Sequence, residues 1–398
     1  MDMNRILFFI ITAQFFSTSV WFASSAILPE LANNFSNPKN LISSIPTATQ
    51  FGFILGTLVF SIFAIVDRFS PSRVFFFSAF LASIFNLTLI IQEQDFLFLI
   101  AGRFMVGFFL AGVYPVGMKI ASDHFSDSLG KSLGYLVGAL VLGTALPHCI
   151  KFVQNELSYQ YLVYATSLLA LIGGFIILLF VPDGIHRKKL HVFEIQSFLA
   201  SFESKKFRSA AWGYFGHMWE LYTFWTFVPL FLESYFTLHK IHSSYTLLSL
   251  FSFLVISIGS LGCVFAGSIS NRLGIKFTAN LFLAISGFCC FLFPIFYFNA
   301  NFVLFIGFLL FWGFAVVADS PMFSTSVAHS SPEDKRGSSL TIINCIGFAI
   351  TILSIKFFSF SLEYYDLGYV VLILSIGPII GLLYQFKNSQ FKIISKSR

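Results

Sequence analysis

The sequence predicts an all-α membrane protein: twelve transmembrane helices in two pseudo-symmetric six-helix bundles. Three observations lead there. Apolar runs long enough to cross a bilayer recur along the whole chain. Lys and Arg gather in alternate connections between those runs. Two polar basic turns, 67–73 and 267–276, occupy the same place in each half, with Asp67 and Asn271 204 residues apart.

Composition excludes a soluble domain. Of 398 residues, 57% are hydrophobic and only 11% charged, against about 25% charged in soluble domains. The mean hydropathy is +0.83. So few charges cannot cover a surface, and lipid must be the solvent for most of the chain. The 56 Phe residues suit a lipid-facing surface and also fit an AT-rich genome, so they are not read as a functional signal.

A helix needs about 20 apolar residues to cross a hydrocarbon core about 30 Å thick. Such windows fall at 6–31, 41–66, 72–92, 96–122, 129–153 and 160–181 in the first half. Six more fall at 209–236, 243–269, 275–299, 301–328, 337–360 and 367–386. Barrel strands would alternate over about 10 residues, and these runs do not. Ala23-Ser24-Ser25-Ala26 imitates a signal-peptide cleavage site, but the preceding apolar run is too long and eleven spans follow, so it is read as the first membrane helix.

Orientation follows from the cations. With the N-terminus inside, nineteen of the 24 Lys and Arg residues fall on the cytoplasmic side, as the positive-inside rule requires. Both termini are then cytoplasmic, and the expected location is a bacterial inner membrane. The stretch 183–208, with Arg187-Lys188-Lys189 and Lys205-Lys206, reads as a cytoplasmic linker between a bundle at 1–182 and another at 209–398. Within it, 192–202 is a candidate interfacial amphipathic helix. The five cysteines lie in apolar spans without metal-ligand spacing, so no disulfide, metal or cofactor is expected. Nor is nucleic acid, because the cations are dispersed among loops.

The repeat extends beyond the turns. Trp21 matches Trp225, Tyr114-Pro115 matches Ser320-Pro321, and Ser132-Leu133 matches Ser339-Leu340, at offsets from 204 to 207. Here the chain resembles the major facilitator superfamily, over nearly its whole length. That family's loop has the form G-x-x-x-D-R-x-G-R-[RK]. The first copy keeps Asp67-Arg68, with Phe63 for the opening Gly and Ser70-Pro71 displacing the later one. The second keeps Gly267, Arg272, Gly274 and Lys276, with Asn271 for Asp. Arg103-x-x-x-Gly107 with Ala111-Gly112 looks like the second family motif, and Pro332 to Gly337 looks like the usual entry to span 11.

The resemblance implies a transporter that works by alternating access, with the two turns as gates. Asp67 is then expected at the N-terminus of span 11 near Gly337. Arg68 and Arg73, with Asn271, Arg272 and Lys276 in the second copy, would close the cytoplasmic face by charge-assisted hydrogen bonds. Small-residue ridges are expected where the halves meet: Gly52/Gly56, Gly134/Gly138, Gly259/Cys263/Gly267 and Gly347/Thr351.

Ionisable residues deep in membrane spans are functional candidates by default. They are Arg103 in span 4, Glu220 and His217 in span 7, and Asp319 in span 10. In the resembling fold, spans 1, 4, 7 and 10 line the central cavity. Glu220 and Asp319 are the candidate proton carriers. Arg103 is a candidate for holding an anionic group or coupling to a carboxylate, and His217 is a partner or shuttle. Gln14, Trp21 and Ser24 share a helix face by spacing, and Tyr222 and Trp225 are candidate cavity walls. Pro29, Pro115, Pro229 and Pro321 would let the four lining spans bend.

The expected function is proton-coupled secondary transport of a small solute by a monomer in the bilayer. Uptake of an organic anion or siderophore competes with efflux of drugs or amphiphilic metabolites. An intramembrane enzyme is disfavoured: no Gly-x-Ser-x-Gly elbow, metal-ligand spacing or phosphate loop is present. A non-transporting sensor on the same scaffold is expected to carry a sizeable soluble extension, which is not expected here.

Overall fold

The computed structural model describes residues 3–33, 35, 40–91, 95–125, 129–154, 157–184, 202–242, 245–331 and 336–395. Most of the stretch 192–202 lies outside them, as do residues 332–335 ahead of span 11. The described residues form helices throughout, and no strand occurs among them.

Each expected span coincides with helix. Span 1 is assembled from Met3–Ser17, a 3-10 turn at Thr18–Val20, and the short segments Ala23–Ala26 and Leu28–Ala32. Spans 2 and 3 are Leu41–Ile62 and Pro71–Asn86, the latter extended by Leu87–Ile90. Span 4 is Phe96–Leu110 followed by Tyr114–His124; spans 5 and 6 are Leu129–Gln154 and Gln160–Phe180. In the second half, spans 7, 8 and 9 are Lys205–Leu238, Tyr245–Leu273 and Ile275–Asn299. Span 10 is Phe302–Ala318 and Ser320–Ser330, and span 11 is Arg336–Ser361. Span 12 runs through Leu367–Val370, Val371–Ser375 and Ile376–Ser395.

Ten of these are long and apolar enough to cross a membrane by length and composition. The exceptions are spans 1 and 7. Span 1 is cut into short pieces, and span 7 carries His217 and Glu220. Their position explains the exception: 23 of the 34 residues of span 7 are buried. A helix enclosed by other helices can carry polar groups that a lipid-facing one cannot.

The prolines mark the breaks. Pro29, Pro115 and Pro321 each sit in the first turn of a new helical segment, where the missing N–H costs no hydrogen bond. Pro229 lies inside an unbroken helix. The break in span 1 at Thr18–Phe22 has no proline. There Thr18 and Ser19 hydroxyls donate to the carbonyls of Gln14 (2.9 Å) and Phe16 (2.7 Å), a back-bonding that bends helices.

Internal symmetry is written into backbone contacts. Gly56 lies against the carbonyl of Phe108, and Gly262 against that of Phe314; Gly107 lies against the carbonyl of Thr49, and Gly313 against that of Val255. Every member of these pairs is 206 residues from its counterpart. A Cβ at any of the four would overlap the facing carbonyl, so spans 2 and 4, and 8 and 10, approach as only glycine allows. The N-caps repeat too: Asp95 accepts from the N–H of Phe98 (2.6 Å), and Asn301 from that of Leu304 (3.0 Å).

The halves meet along two seams, span 5 on span 8 and span 2 on span 11. The first seam uses part of its expected ridge, with Gly138 near the carbonyl of Ser260 and Gly134 near that of Cys263, whereas Gly259 lies first against the Gly313 carbonyl of span 10 and a Cβ at Gly267 would meet nothing. Gly52, Gly56 and Gly347 correct the expectation: the first two are spent on span 4 and the third on Tyr214 of span 7, inside their own halves. The second seam is instead stitched by polar contacts along its length. Lys356 Nζ donates to Ser44 (3.0 Å), Thr351 to Gln50 Oε1 (2.7 Å), and Ser61 to Thr341 (3.5 Å).

Candidate functional site

At mid-depth, where both halves converge, aromatic rings from four spans form one layer. Trp21 of span 1 lies 5.0 Å from Phe53 of span 2, 5.9 Å from Tyr222 of span 7 and 5.8 Å from Phe348 of span 11. Tyr222 lies 5.1 Å from Phe348 and 5.2 Å from Trp225, and Trp225 meets Phe22 edge-on at 6.3 Å. Such centroid spacings are those of favourable ring pairs. All six rings are buried. Apart from Arg103, whose guanidinium reaches the backbone carbonyl of Trp21 (3.1 Å), the polar side chains around them are uncharged: the Gln50–Thr351 bond joins the halves, and Trp225 Nε1 is buried without a hydrogen-bond partner. Gln14 is fully buried against Gly117 of span 4, and neither end of its amide finds a partner. Ser24 Oγ is likewise buried and unpartnered. The break at Thr18–Phe22 interrupts the helical register, so the face expected for Gln14, Trp21 and Ser24 is not continuous.

A buried imidazole–carboxyl pair lies nearer the face that carries the two turns. His217 Nδ1 is 2.8 Å from Asp319 Oδ1. Five residues along span 7 separate His217 from Tyr222, roughly 7.5 Å of helix rise. Asp319 stands at the break between the two segments of span 10; Val113 holds the equivalent break in span 4. The side chains of His217 and Asp319 are 1% and 0% exposed, so neither reaches solvent. Tyr214, one turn away, donates to Asn344 of span 11 at 2.9 Å.

The other two deep charges are enclosed within their own halves. Arg103 donates through one terminal nitrogen to Asn86 Oδ1 (3.0 Å) and through the other to the carbonyls of Val20 (2.8 Å) and Trp21 (3.1 Å). The break in span 1 sets those carbonyls free, and the guanidinium satisfies them. Glu220 is held by Trp312 Nε1 (2.8 Å) and Ser286 Oγ (2.9 Å), with Cys290 Sγ at 3.6 Å. Its described partners come from spans 9 and 10; neither Arg103 nor His217 is among them.

Over residues 10–355 the sequence matches the Major Facilitator Superfamily. The chain belongs to this superfamily. It is therefore a membrane transporter and not an enzyme. Among solved structures it is similar to the proton:xylose symporter XylE bound to 6-bromo-6-deoxy-D-glucose. The TM-score is 0.73 at 14% identity, covering 97% of this chain and 95% of that one. The xylose transporter XylE from E. coli in a partially occluded inward-open conformation gives 0.73 at 13%, covering 97% and 99%. At such identities the likeness shows the fold alone.

Within this facilitator the turns behave unequally. Asp67 pairs with Lys119 of span 4 at 3.2 Å, and Lys119 also lies 3.8 Å from Asp123. The expected contact with span 11 falls on a stretch only partly described. Arg68 and Arg73 are exposed, as are Asn271, Arg272 and Lys276. Ser70 Oγ donates to Asp183 (2.7 Å) and Ser72 Oγ to the carbonyl of Val181 (2.8 Å), fastening the first turn to the end of span 6. Gly274, which precedes span 9, has a φ of 85°, whereas its counterpart Ser70, which precedes span 3, is extended at −60°. The positive φ of the first half falls instead on Ala64, at 49°, at the end of span 2, a conformation that non-glycine residues rarely adopt.

Sequence reasoning missed the residues that hold the deep charges: Asn86 for Arg103, and Ser286, Cys290 and Trp312 for Glu220. Trp312 had a usable signal, because a buried indole N–H needs an acceptor. The others are ordinary small or polar residues of apolar spans, with no mark of their own.

Proposed function

We propose that this facilitator is a secondary active transporter that moves a small uncharged solute by alternating access and draws on protons through His217–Asp319. The carrying observation is that buried pair, at a helix break below an aromatic layer built by both halves. A carboxylate and an imidazole in contact can hold or release a proton, and the break gives their carriers freedom to move. Arg103 is spent on backbone carbonyls, which argues against an anionic cargo at the layer. Rings with neutral donors and acceptors suit a molecule with hydroxyl groups on an apolar frame. The symporter named for XylE agrees with that class. The Lys and Arg distribution supports a cytoplasmic position for the turns and both termini; the reading adds a monomer in a bacterial inner membrane, with bundles at 1–182 and 209–398. Drug or metabolite efflux by antiport is the second reading, favoured by the aromatic lining.

Proteoliposomes with an imposed pH gradient separate the two. Symport predicts accumulation of a pentose, hexose or polyol on the proton-poor side, and antiport on the proton-rich side. Failure of every neutral solute, with uptake of organic anions, would overturn the cargo assignment. Glu220→Gln keeps the shape of the Ser286–Trp312 contacts and is expected to leave gradient-driven accumulation intact. Its loss in that variant, with Asp319→Asn unaffected, would move the proton to Glu220.

The rocking motion has its own test. Ser61 and Thr341 are 3.5 Å apart across the span 2–span 11 seam, near the turns. Cysteines at both positions are expected to join under oxidation and stop transport, and reductant should restore it. Full transport by the crosslinked protein would show that this seam need not part.

A further inference from the structure

On the face opposite the turns, a cavity of about 80 Å³ lies between the halves, walled by spans 1, 2, 5, 7 and 8. That measure leaves room for several waters. Its floor is one turn above the aromatic layer: Ser25 and Ala26 follow Trp21 on span 1, and Thr226 and Pro229 follow Trp225 on span 7. Its lining combines apolar Ile45, Leu230 and Leu248 with polar Glu30, His148, Lys151 and Ser252, the last one turn along span 8 from Leu248. Glu233, which also lines it, is exposed.

Two observations set this cavity apart from a packing defect. His148 is 3% exposed and Ser252 is 0% exposed, yet His148 Nε2 and Ser252 Oγ have no hydrogen-bond partner. Buried polar atoms are almost always satisfied, so two orphans lining one cavity from opposite halves call for an occupant. The charges restrict its kind. Lys151 is paired with Glu30 across spans 5 and 1, and Glu233 leaves the mouth negative. An anion is repelled there, while a neutral or cationic head is not.

We propose that this cavity is a second solute site, where a small neutral or cationic amphiphile rests before passing the aromatic layer. Its apolar body lies against Ile45, Leu230 and Leu248, and its hydrogen-bonding head meets His148 and Ser252. The proposal rests on the transport reading above, but its test does not. Tyr245 lines the cavity and is 66% exposed. Tyr245→Cys, in protein with Cys149→Ser and reconstituted in nanodiscs, gives a site for maleimide labelling. Three probes share a four-carbon skeleton and differ in charge: butanol, butylamine and butyrate. Butanol and butylamine are expected to slow labelling several-fold at saturation, and butyrate is not. His148→Leu and Ser252→Ala should each remove the protection while leaving the unprotected labelling rate and the melting temperature near the parent's. Equal protection by butyrate, protection that survives both substitutions, or none from any probe (a cavity holding only water) would each overturn the proposal. Protection without proton-driven transport would leave this site standing and remove the coupling scheme instead.

Discussion

Asp319→Asn is expected to reduce gradient-driven accumulation to simple equilibration while solute exchange across the membrane continues. A gradient of one pH unit stores about 1.4 kcal/mol, enough for about tenfold accumulation by a one-to-one symporter. Asparagine keeps the size of the side chain and an acceptor for His217, 2.8 Å away, but cannot take up or release the proton. The accumulation ratio should therefore fall to unity, with counterflow close to the parent rate. His217→Asn is expected to have a similar effect. The double variant should be no worse than either single one, because two groups acting as a unit are not additive. Accumulation that persists in Asp319→Asn would remove the pair from the coupling scheme; loss of counterflow as well would make it a structural strut.

The spans were legible because lipid imposes one strong requirement, a long apolar run with its backbone bonds satisfied internally. The repeat was legible because both halves kept residues with fixed backbone roles, such as the prolines at 115 and 321; the glycines at 107 and 313 repeat too, but only their facing carbonyls reveal it. The break of span 10 could be read from Ser320-Pro321. That of span 1 could not be read the same way, because its cause lies elsewhere. Three consecutive hydroxyl residues, Ser17, Thr18 and Ser19, turn toward backbone carbonyls of spans 1 and 6, and Arg103 arrives from span 4 to hold the opened turn. Only the hydroxyl run is a local signal. The deep charges were visible as charges, but their partners were not. Pairing depends on how helices rotate against each other, and Glu220 and His217, three residues apart on one helix, end up facing different neighbours.

Arg103 is where sequence and structure pull furthest apart, and it carries the largest expected effect on stability. As a deep cation it invites an anionic cargo. In the structure it is fully buried, with one acceptor on Asn86 and two on the opened turn of span 1. Arg103→Met fills similar space but orphans three acceptors, each costing about 1–3 kcal/mol. A total of several kcal/mol is a large share of the stability of a typical protein. Arg103→Lys keeps the charge, yet a compact ammonium lacks the planar fork that spans Asn86 and the two carbonyls, so it should recover only part of the loss. Thermal unfolding in detergent is expected to rank parent above Arg103→Lys, and Arg103→Met last. Asn86→Leu should weaken the parent but change Arg103→Met much less, since their shared bond is already gone. Arg103→Lys or Arg103→Met melting like the parent, while an anionic solute loses its affinity, would return Arg103 to the binding site. The opposite pattern would establish it as the residue that keeps span 1 open at Trp21, and with it the position of the ring where the two halves meet.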